Sequence, residues 1–132
     1  MRSLFLILAL SLFLNSCANS DSPAGSVPAG TTTFTVTSTN APVSYTVNGS
    51  ENPTITLQRG QTYTFDLTVP GHPFYIMTTQ GTNTGNAYSN GITGNGTVNG
   101  TLTFAVPSNA PNTLFYDCSV HAGMTGTITV TN

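Results

Sequence analysis

Four side chains of types that bind metals lie in two short segments of this 132-residue sequence. Cys118, His121 and Met124 follow one another at C-x2-H-x2-M spacing, and His72 lies upstream between two prolines. Thiolate, imidazole and thioether form a soft ligand set, which suits a copper ion that cycles between Cu(I) and Cu(II). Because the chain has only two histidines, one site would use both of them. The pattern therefore favours one copper site.

Each of these residues also has an ordinary explanation. The chain has two cysteines, Cys17 and Cys118, so a disulfide between them is one alternative and an inert core cysteine is another. His72 could be a loop histidine, His121 a solvated turn residue and Met124 a core side chain. A Cys–His hydrolase with Cys118 as nucleophile is less favoured, because Cys118 and His121 share one short loop and no oxyanion-hole motif accompanies them.

The elements that must position these ligands read as β-strands from residue 32 onward. Alternating polar and apolar residues, rich in β-branched and aromatic types, predict eight strands. These strands cover residues 33–37, 43–47, 53–58, 61–68, 74–78, 97–106, 113–118 and 125–131. Residues 80–96, rich in Gly, Asn and Thr, are predicted to form a long loop. The pattern indicates an all-β fold, a Greek-key antiparallel β-sandwich of about eight strands.

With this ligand loop, upstream histidine and strand pattern, the sequence resembles the cupredoxins, the small blue copper proteins of type 1. The resemblance covers residues 33–131, and the C-x2-H-x2-M loop is similar to that of amicyanins, whereas plastocyanin-type loops are longer between His and Met. The resemblance implies that His72, Cys118 and His121 form a trigonal copper plane, with Met124 as the weak axial ligand. It also implies electron transfer to a redox partner protein through the exposed edge of His121.

Two positions depart from the family pattern. Many cupredoxins have an asparagine after the first histidine, and its backbone N–H donates to the copper-bound sulfur, whereas Pro73 has no N–H. Asp117 precedes the ligand cysteine, where a neutral residue is often found. Both changes are expected to lower the reduction potential. Strand alternation predicts that the Asp117 side chain faces solvent, so screening should make its effect the smaller one.

The N-terminal segment has the pattern of an export signal. Arg2 is followed by an apolar run over residues 4–14, which is too short to cross the roughly 30 Å of a bilayer as a helix. The following Leu14-Asn15-Ser16-Cys17 resembles a bacterial lipobox, with ordinary signal cleavage nearby as the alternative. The predicted organisation is a signal peptide over 1–16, a lipidated Cys17 with a linker over 17–31, and a copper-binding domain over 32–132.

Composition excludes several functions. Only 5% of the residues are charged and two are basic, so the chain has no basic patch for nucleic acid or for an anionic membrane surface. We expect an exported monomer on the periplasmic or cell-surface side, attached to a membrane through its lipid alone. The expected role is electron transfer and not an enzymatic activity. A copper-carrying or copper-buffering lipoprotein and a metal-free interaction sandwich are the alternatives.

Overall fold

Ten β-strands make up most of the fold in a computed structural model that describes residues 30–132. The strands are β1 (Thr33–Asn40), β2 (Ser44–Val47), β3 (Ser50–Glu51), β4 (Ile55–Gln58), β5 (Thr62–Thr68), β6 (Phe74–Met77), β7 (Ile92–Thr93), β8 (Asn99–Ala105), β9 (Thr113–Cys118) and β10 (Thr125–Thr131). A 3-10 turn covers Thr84–Asn86. The predicted signal peptide, Cys17 and most of the linker lie outside the described residues. Within residues 30–132, no helix is long and apolar enough to cross a membrane.

The strands are arranged in two sheets. One has the strand order β3-β2-β1-β5-β8-β7, and the other has the order β4-β10-β9-β6. Inward-facing side chains from both sheets belong to one buried apolar cluster. The fold is therefore a β-sandwich, as the strand pattern predicted.

Alternation along each strand decides which face is buried. In β5, Tyr63, Phe65 and Leu67 are buried, whereas the Thr and Asp side chains between them point outward. The same alternation buries Leu102 and Phe104 in β8. Burying a side chain of this size stabilises the fold by about 1.5–3 kcal/mol. A slip of one residue would expose the whole set, so the register of these strands is strongly specified.

All eight predicted strands are present, with ends that differ by a few residues. The structure adds β3 and β7, which have two residues each. β7 and the 3-10 turn both lie in the predicted loop over residues 80–96. A strand of two residues is too short to show an alternating pattern, so the sequence did not indicate these elements.

The prediction that all strands pair antiparallel is wrong in two places. β1 pairs parallel with β5, and β4 pairs parallel with β10, so both sheets are mixed. A parallel pair needs a long connection, and the chain between β1 and β5 supplies one by passing through β4 in the other sheet. Alternation shows which side chains face the core, but it carries no information about the direction of the neighbouring strand.

Candidate metal centre

Three of the predicted ligands meet at the end of the sandwich where β9 finishes. Cys118 is the last residue of β9, and it pairs across the sheet with Phe74, the first residue of β6. His72 lies two residues before that strand and is therefore held close to Cys118. His121 belongs to the turn through which β9 reverses into β10. Strand register thus brings together His72 and Cys118, which are 46 positions apart in the chain.

The ligand atoms of these three residues converge on one point. His72 Nδ1 and His121 Nδ1 lie 3.1 Å apart, and His72 Nδ1 lies 3.9 Å from Cys118 Sγ. One ligand atom from each of the three residues lies within 4.8 Å of the other two. A metal ion bonded at about 2.0 Å to each imidazole and about 2.3 Å to a thiolate holds its ligands at such separations. The three side chains therefore fit a single ion.

The site is closed around the sulfur and open at the imidazoles. Cys118 is fully buried, whereas His72 and His121 are both partly exposed. The sulfur accepts a hydrogen bond from the backbone N–H of Val120 at 3.4 Å. The thiolate is the form of cysteine that binds metals. The arrangement keeps the thiolate away from solvent and leaves the imidazole edges as the connection to the surface.

Met124, the predicted fourth ligand, is fully buried in the same turn. Its backbone N–H donates to the carbonyl of His121 at 3.2 Å, and its carbonyl accepts from the backbone N–H of Cys118 at 2.9 Å. These two bonds tie Met124 to two of the converging residues. Its side chain lies in the core at this end of the sandwich, and its role as axial ligand stays a prediction.

Pro73 takes part in the site through its carbonyl. The carbonyl accepts from the backbone N–H of Ser119 at 3.3 Å and from the Tyr45 hydroxyl at 3.2 Å. Proline has no N–H, so the chain offers no backbone donor at this position. Among the described hydrogen bonds, the sulfur of Cys118 receives its backbone donation from Val120.

The predicted exposure of Asp117 is wrong. Alternation along β9 predicts an exposed side chain at this position, but Asp117 is only 1% exposed. The backbone N–H of Gly81 donates to its Oδ1 at 3.1 Å, and Oδ2 has no hydrogen-bond partner among the described residues. Burial raises the pKa of this carboxyl, and interactions with Thr125 and Gly81 offset part of the rise. Screening by water therefore gives no reason to rank Asp117 below Pro73 in its effect on the reduction potential.

Two residues that contact the ligand loops were not indicated by the sequence. Tyr45 was predicted only as a strand residue, and Asn52 follows the short strand β3. The Tyr45 hydroxyl donates to the carbonyl of His72 at 2.8 Å, and the Asn52 side chain donates to the carbonyl of Gly123 at 2.9 Å. These contacts join residues 27 and 71 positions apart, so no local pattern could reveal them.

Comparison with known proteins finds similarity of structure. No protein-family model matches the chain, and no curated protein matches it. A rusticyanin variant aligns with a TM-score of 0.57 at 21% identity, over 83% of this chain and 84% of that one. Rusticyanin from Thiobacillus ferrooxidans aligns with a TM-score of 0.54 at 22% identity, over 80% of each chain. Reduced auracyanin from the photosynthetic bacterium Roseiflexus castenholzii aligns with a TM-score of 0.50 at 22% identity, over 77% of this chain and 98% of that one.

Rusticyanin and auracyanin are cupredoxins. This chain has the cupredoxin fold. The β-sandwich predicted from the strand pattern and the resemblance to cupredoxins are thereby confirmed. The cupredoxin fold here carries a cluster of one thiolate and two imidazoles, a soft ligand set that suits copper better than it suits hard cations. Fold and ligand chemistry together support one copper ion.

Proposed function

We propose that this protein is an exported, lipid-anchored type 1 copper protein that transfers single electrons. The observation that carries the proposal is the convergence of His72, His121 and Cys118, with one ligand atom of each within 4.8 Å of the others, at one end of a cupredoxin fold. Two histidines and a cysteine, with a weak axial methionine, form the ligand set of blue-copper electron-transfer sites. Met124 is the residue proposed for the axial position. One structural neighbour, rusticyanin, is itself described as a copper protein.

The ligands have different tasks in this proposal. When bound, copper supplies a one-electron couple between Cu(I) and Cu(II). Cys118 is buried and hydrogen-bonded, so it holds its thiolate away from water. His72 and His121 are partly exposed and connect the site with the surface. Their Nδ1 atoms already face one another, so little rearrangement is needed to bind an ion.

The surface around His121 suits a partner that docks without charge. Val43 and Val120 are the exposed large apolar side chains of the described chain, with 62% and 57% of their surfaces accessible. Val120 directly precedes His121. The loop that contains Val43 lies against the turn that carries His121. A Cβ atom placed on Gly123 in that turn would be 3.1 Å from the backbone carbonyl oxygen of Val43. In this proposal a redox partner protein contacts these apolar side chains and exchanges electrons through the edge of His121.

Export and anchoring at Cys17 rest on the N-terminal sequence, which lies outside the described residues. The predicted linker, residues 17–31, would reach at most about 50 Å when fully extended. The copper domain would therefore meet its redox partners near the membrane surface. In this role the protein is a redox partner and has no substrate of its own to convert.

The two cysteines allow the two parts of the proposal to be tested separately. Cu(II) added to the purified protein should produce an intense charge-transfer band from the thiolate, which Cys118→Ser abolishes and Cys17→Ser preserves. A labelled fatty acid supplied to a bacterial host should label the wild type and Cys118→Ser, but not Cys17→Ser. A colourless wild type that retains no copper would contradict the copper function. Labelling that survives Cys17→Ser would contradict the anchor.

An electron-transfer protein keeps its copper bound through each redox cycle, whereas a copper carrier releases it to another molecule. The loaded protein should pass through repeated reduction and reoxidation with its visible band restored each time. A chelator that binds Cu(I) should remove copper slowly from the reduced protein. Rapid loss of Cu(I) to the chelator would instead favour the copper-carrying alternative.

A further inference from the structure

We propose that Tyr45 and Asn52 are positioning residues that hold the two ligand-bearing loops of the metal centre at a fixed separation. This inference deepens the proposed copper function. Both residues belong to the region of β2 and β3, in the six-stranded sheet, whereas the ligands lie at the end of the four-stranded sheet. We call these two residues, with the hydrogen bonds between them, the Tyr45–Asn52 bridge.

Tyr45 holds the loop that carries His72. Its ring is buried and packs edge-on against Phe74, with the ring centroids 5.1 Å apart. Its hydroxyl donates to the carbonyl of His72 at 2.8 Å and, at the longer distance of 3.2 Å, to that of Pro73.

Asn52 holds the turn that carries His121. Its side-chain NH2 donates to the carbonyl of Gly123 at 2.9 Å, and its side-chain oxygen accepts from the backbone N–H of Tyr45 at 3.0 Å. The orientation of the amide is determined, because a carbonyl can only accept and an N–H can only donate. Asn52 has a φ of 41°, in the left-handed region that asparagine adopts more readily than most residues.

The two residues act as one unit because they bond to each other twice. The backbone N–H of Asn52 donates to the carbonyl of Tyr45 at 2.9 Å, in addition to the side-chain bond in the opposite direction. The ligand loops also share a direct bond from Ser119 to Pro73, which is longer at 3.3 Å. Pro73 cannot return a donor to the other loop. The bridge therefore fixes the spacing between the two loops from a third element.

Conservative substitutions remove one part of the bridge at a time. Tyr45→Phe deletes the hydroxyl and keeps the ring, and Asn52→Gly deletes the amide while permitting the left-handed backbone. Tyr63→Phe is the matched control for the first, because it removes a buried hydroxyl that accepts a backbone N–H at 2.9 Å. Asn48→Gly is the control for the second, because Asn48 has a φ of 48° and its side-chain oxygen also accepts a backbone N–H. The partners of these two control side chains, Thr35 for Asn48 and Gln58 for Tyr63, lie outside the ligand loops.

Hydrogen exchange of the metal-free protein tests the bridge independently of copper. The backbone N–H of His72 donates to Val69, and that of Met124 donates to His121. Tyr45→Phe should speed exchange at His72, and Asn52→Gly should speed exchange at Met124. Each increase should be about two- to tenfold, which corresponds to the loss of one hydrogen bond. The two controls should leave both rates unchanged once global stability is matched with denaturant.

Copper-loaded protein provides a second measurement. Each bridge variant should release copper about two- to tenfold faster than the wild type and should shift the charge-transfer band. In the double variant, the increase in the release rate should be smaller than the product of the two single increases. Equal effects in the controls, or unchanged exchange at His72 and Met124, would overturn the positioning role. Independent, multiplying effects would overturn the claim of a single unit. If the wild type binds no copper, the exchange measurement still decides the bridge while the copper function alone fails.

Discussion

The sulfur of Cys118 is the atom whose surroundings most directly set the properties of the site. It is buried and accepts a backbone hydrogen bond from Val120 at 3.4 Å. Such a bond withdraws charge from the thiolate and therefore favours Cu(I) over Cu(II). Pro73 lies in the other ligand loop and cannot donate in this way. The reduction potential should thus respond to a donor restored at position 73.

Pro73→Asn is expected to raise the reduction potential, because it offers the sulfur a second backbone donor. The shift should be on the order of 50 mV, since a tenfold change in a one-electron equilibrium corresponds to about 59 mV. Voltammetry of the copper-loaded protein measures it. Pro73→Ala restores the same N–H and should shift the potential in the same direction, whereas Pro70→Ala places an N–H elsewhere in the loop. An unchanged or lower potential in both Pro73 variants would contradict the role of a missing donor.

Asp117→Asn is expected to stabilise the metal-free fold at neutral pH, because it replaces a buried carboxylate by a neutral group of the same shape. Burial raises the folded-state pKa of Asp117 above its unfolded value, so the folded protein binds the proton more tightly. The wild type should therefore lose stability as pH rises from the unfolded pKa, about 3.9, through the raised folded pKa. The amide of the Asp117→Asn variant cannot titrate, so the variant does not show this loss.

Denaturant unfolding at a series of pH values checks this expectation. The curves of wild type and Asp117→Asn should lie closest at the acid end and separate as pH rises. Asp66→Asn, in which the exposed carboxylate of β5 is neutralised, is the control and should show no such separation. A wild type that gains stability relative to Asp117→Asn with rising pH would contradict the raised pKa.

At the level of elements, strands could be predicted from the sequence where side chains alternate over several residues. β5 is such a case, because Tyr63, Phe65 and Leu67 define an apolar face. Alternation did not reveal that β5 runs parallel to β1, because the direction of a partner depends on how the intervening chain returns. Alternation also did not reveal that Asp117 is buried. The Gly-rich segment that contacts its side chain through Gly81 has no periodic pattern.

The residues of the candidate site also differ in how far the sequence could predict them. Cys118 and His121 were predictable because their spacing lies within one turn, so it can be read directly. The position of His72 needs the register between β6 and β9, which a known family pattern supplied. The contacts of Tyr45 depend on a third element in the other sheet, and no pattern in the sequence encodes them.

β10 contains a glycine that its neighbouring strand requires. Gly126 pairs with Tyr116 of β9, and a Cβ on Gly126 would overlap the hydroxyl and ring of Tyr116. The tyrosine has little freedom to move away. Its hydroxyl donates to the carbonyl of Pro53 at 2.7 Å, and its ring stacks on Phe74 with the centroids 5.6 Å apart. A side chain at position 126 should therefore disturb the core directly beneath the ligand turn.

Gly126→Ala is expected to lower the free energy of unfolding by about 1–3 kcal/mol, as overpacking of a core does. Denaturant unfolding of the metal-free protein measures the change. Gly85→Ala is the control, because a Cβ there would meet only the side chain of Asn83 in the surface 3-10 turn. Its effect should be within about 0.5 kcal/mol. Equal losses in the two variants would contradict the special requirement for glycine in β10.

The whole molecule has a structural end and a metal-binding end, joined by β9. Near the start of β9, the guanidinium of Arg59 donates to the carbonyl of Ala110 at 2.8 Å and to the side chains of Asn112 and Asn132. β9 then runs to Cys118 at the other end, a distance of about 17 Å for a strand of this length. The guanidinium charge is thus held at the end away from the metal centre.

The remaining charges are few. The charged side chains in residues 30–132 are those of Glu51, Arg59, Asp66 and Asp117. Asp117 is buried, and Arg59 is engaged with amide and carbonyl oxygens. The apolar side chains Val43 and Val120 are the exposed ones beside the ligand turn. The surface proposed for docking therefore has little charge with which to attract or repel a partner.

Electron exchange with small charged redox reagents should consequently depend only weakly on salt. From about 10 to 200 mM salt, the rate measured by stopped flow with an anionic reagent should change by less than about twofold, because the net charge of the chain is only −2. Val120→Lys puts a positive charge beside His121, so its rate with the same reagent should be higher at low salt and should fall as salt is added. Thr113→Lys adds the same charge at the exposed start of β9, about 17 Å along the strand from Cys118. That distance exceeds the Debye length of about 8 Å at 0.15 M salt, so this variant should show a smaller dependence. A steep salt dependence in the wild type, or equal slopes in the two lysine variants, would contradict an uncharged docking surface around His121.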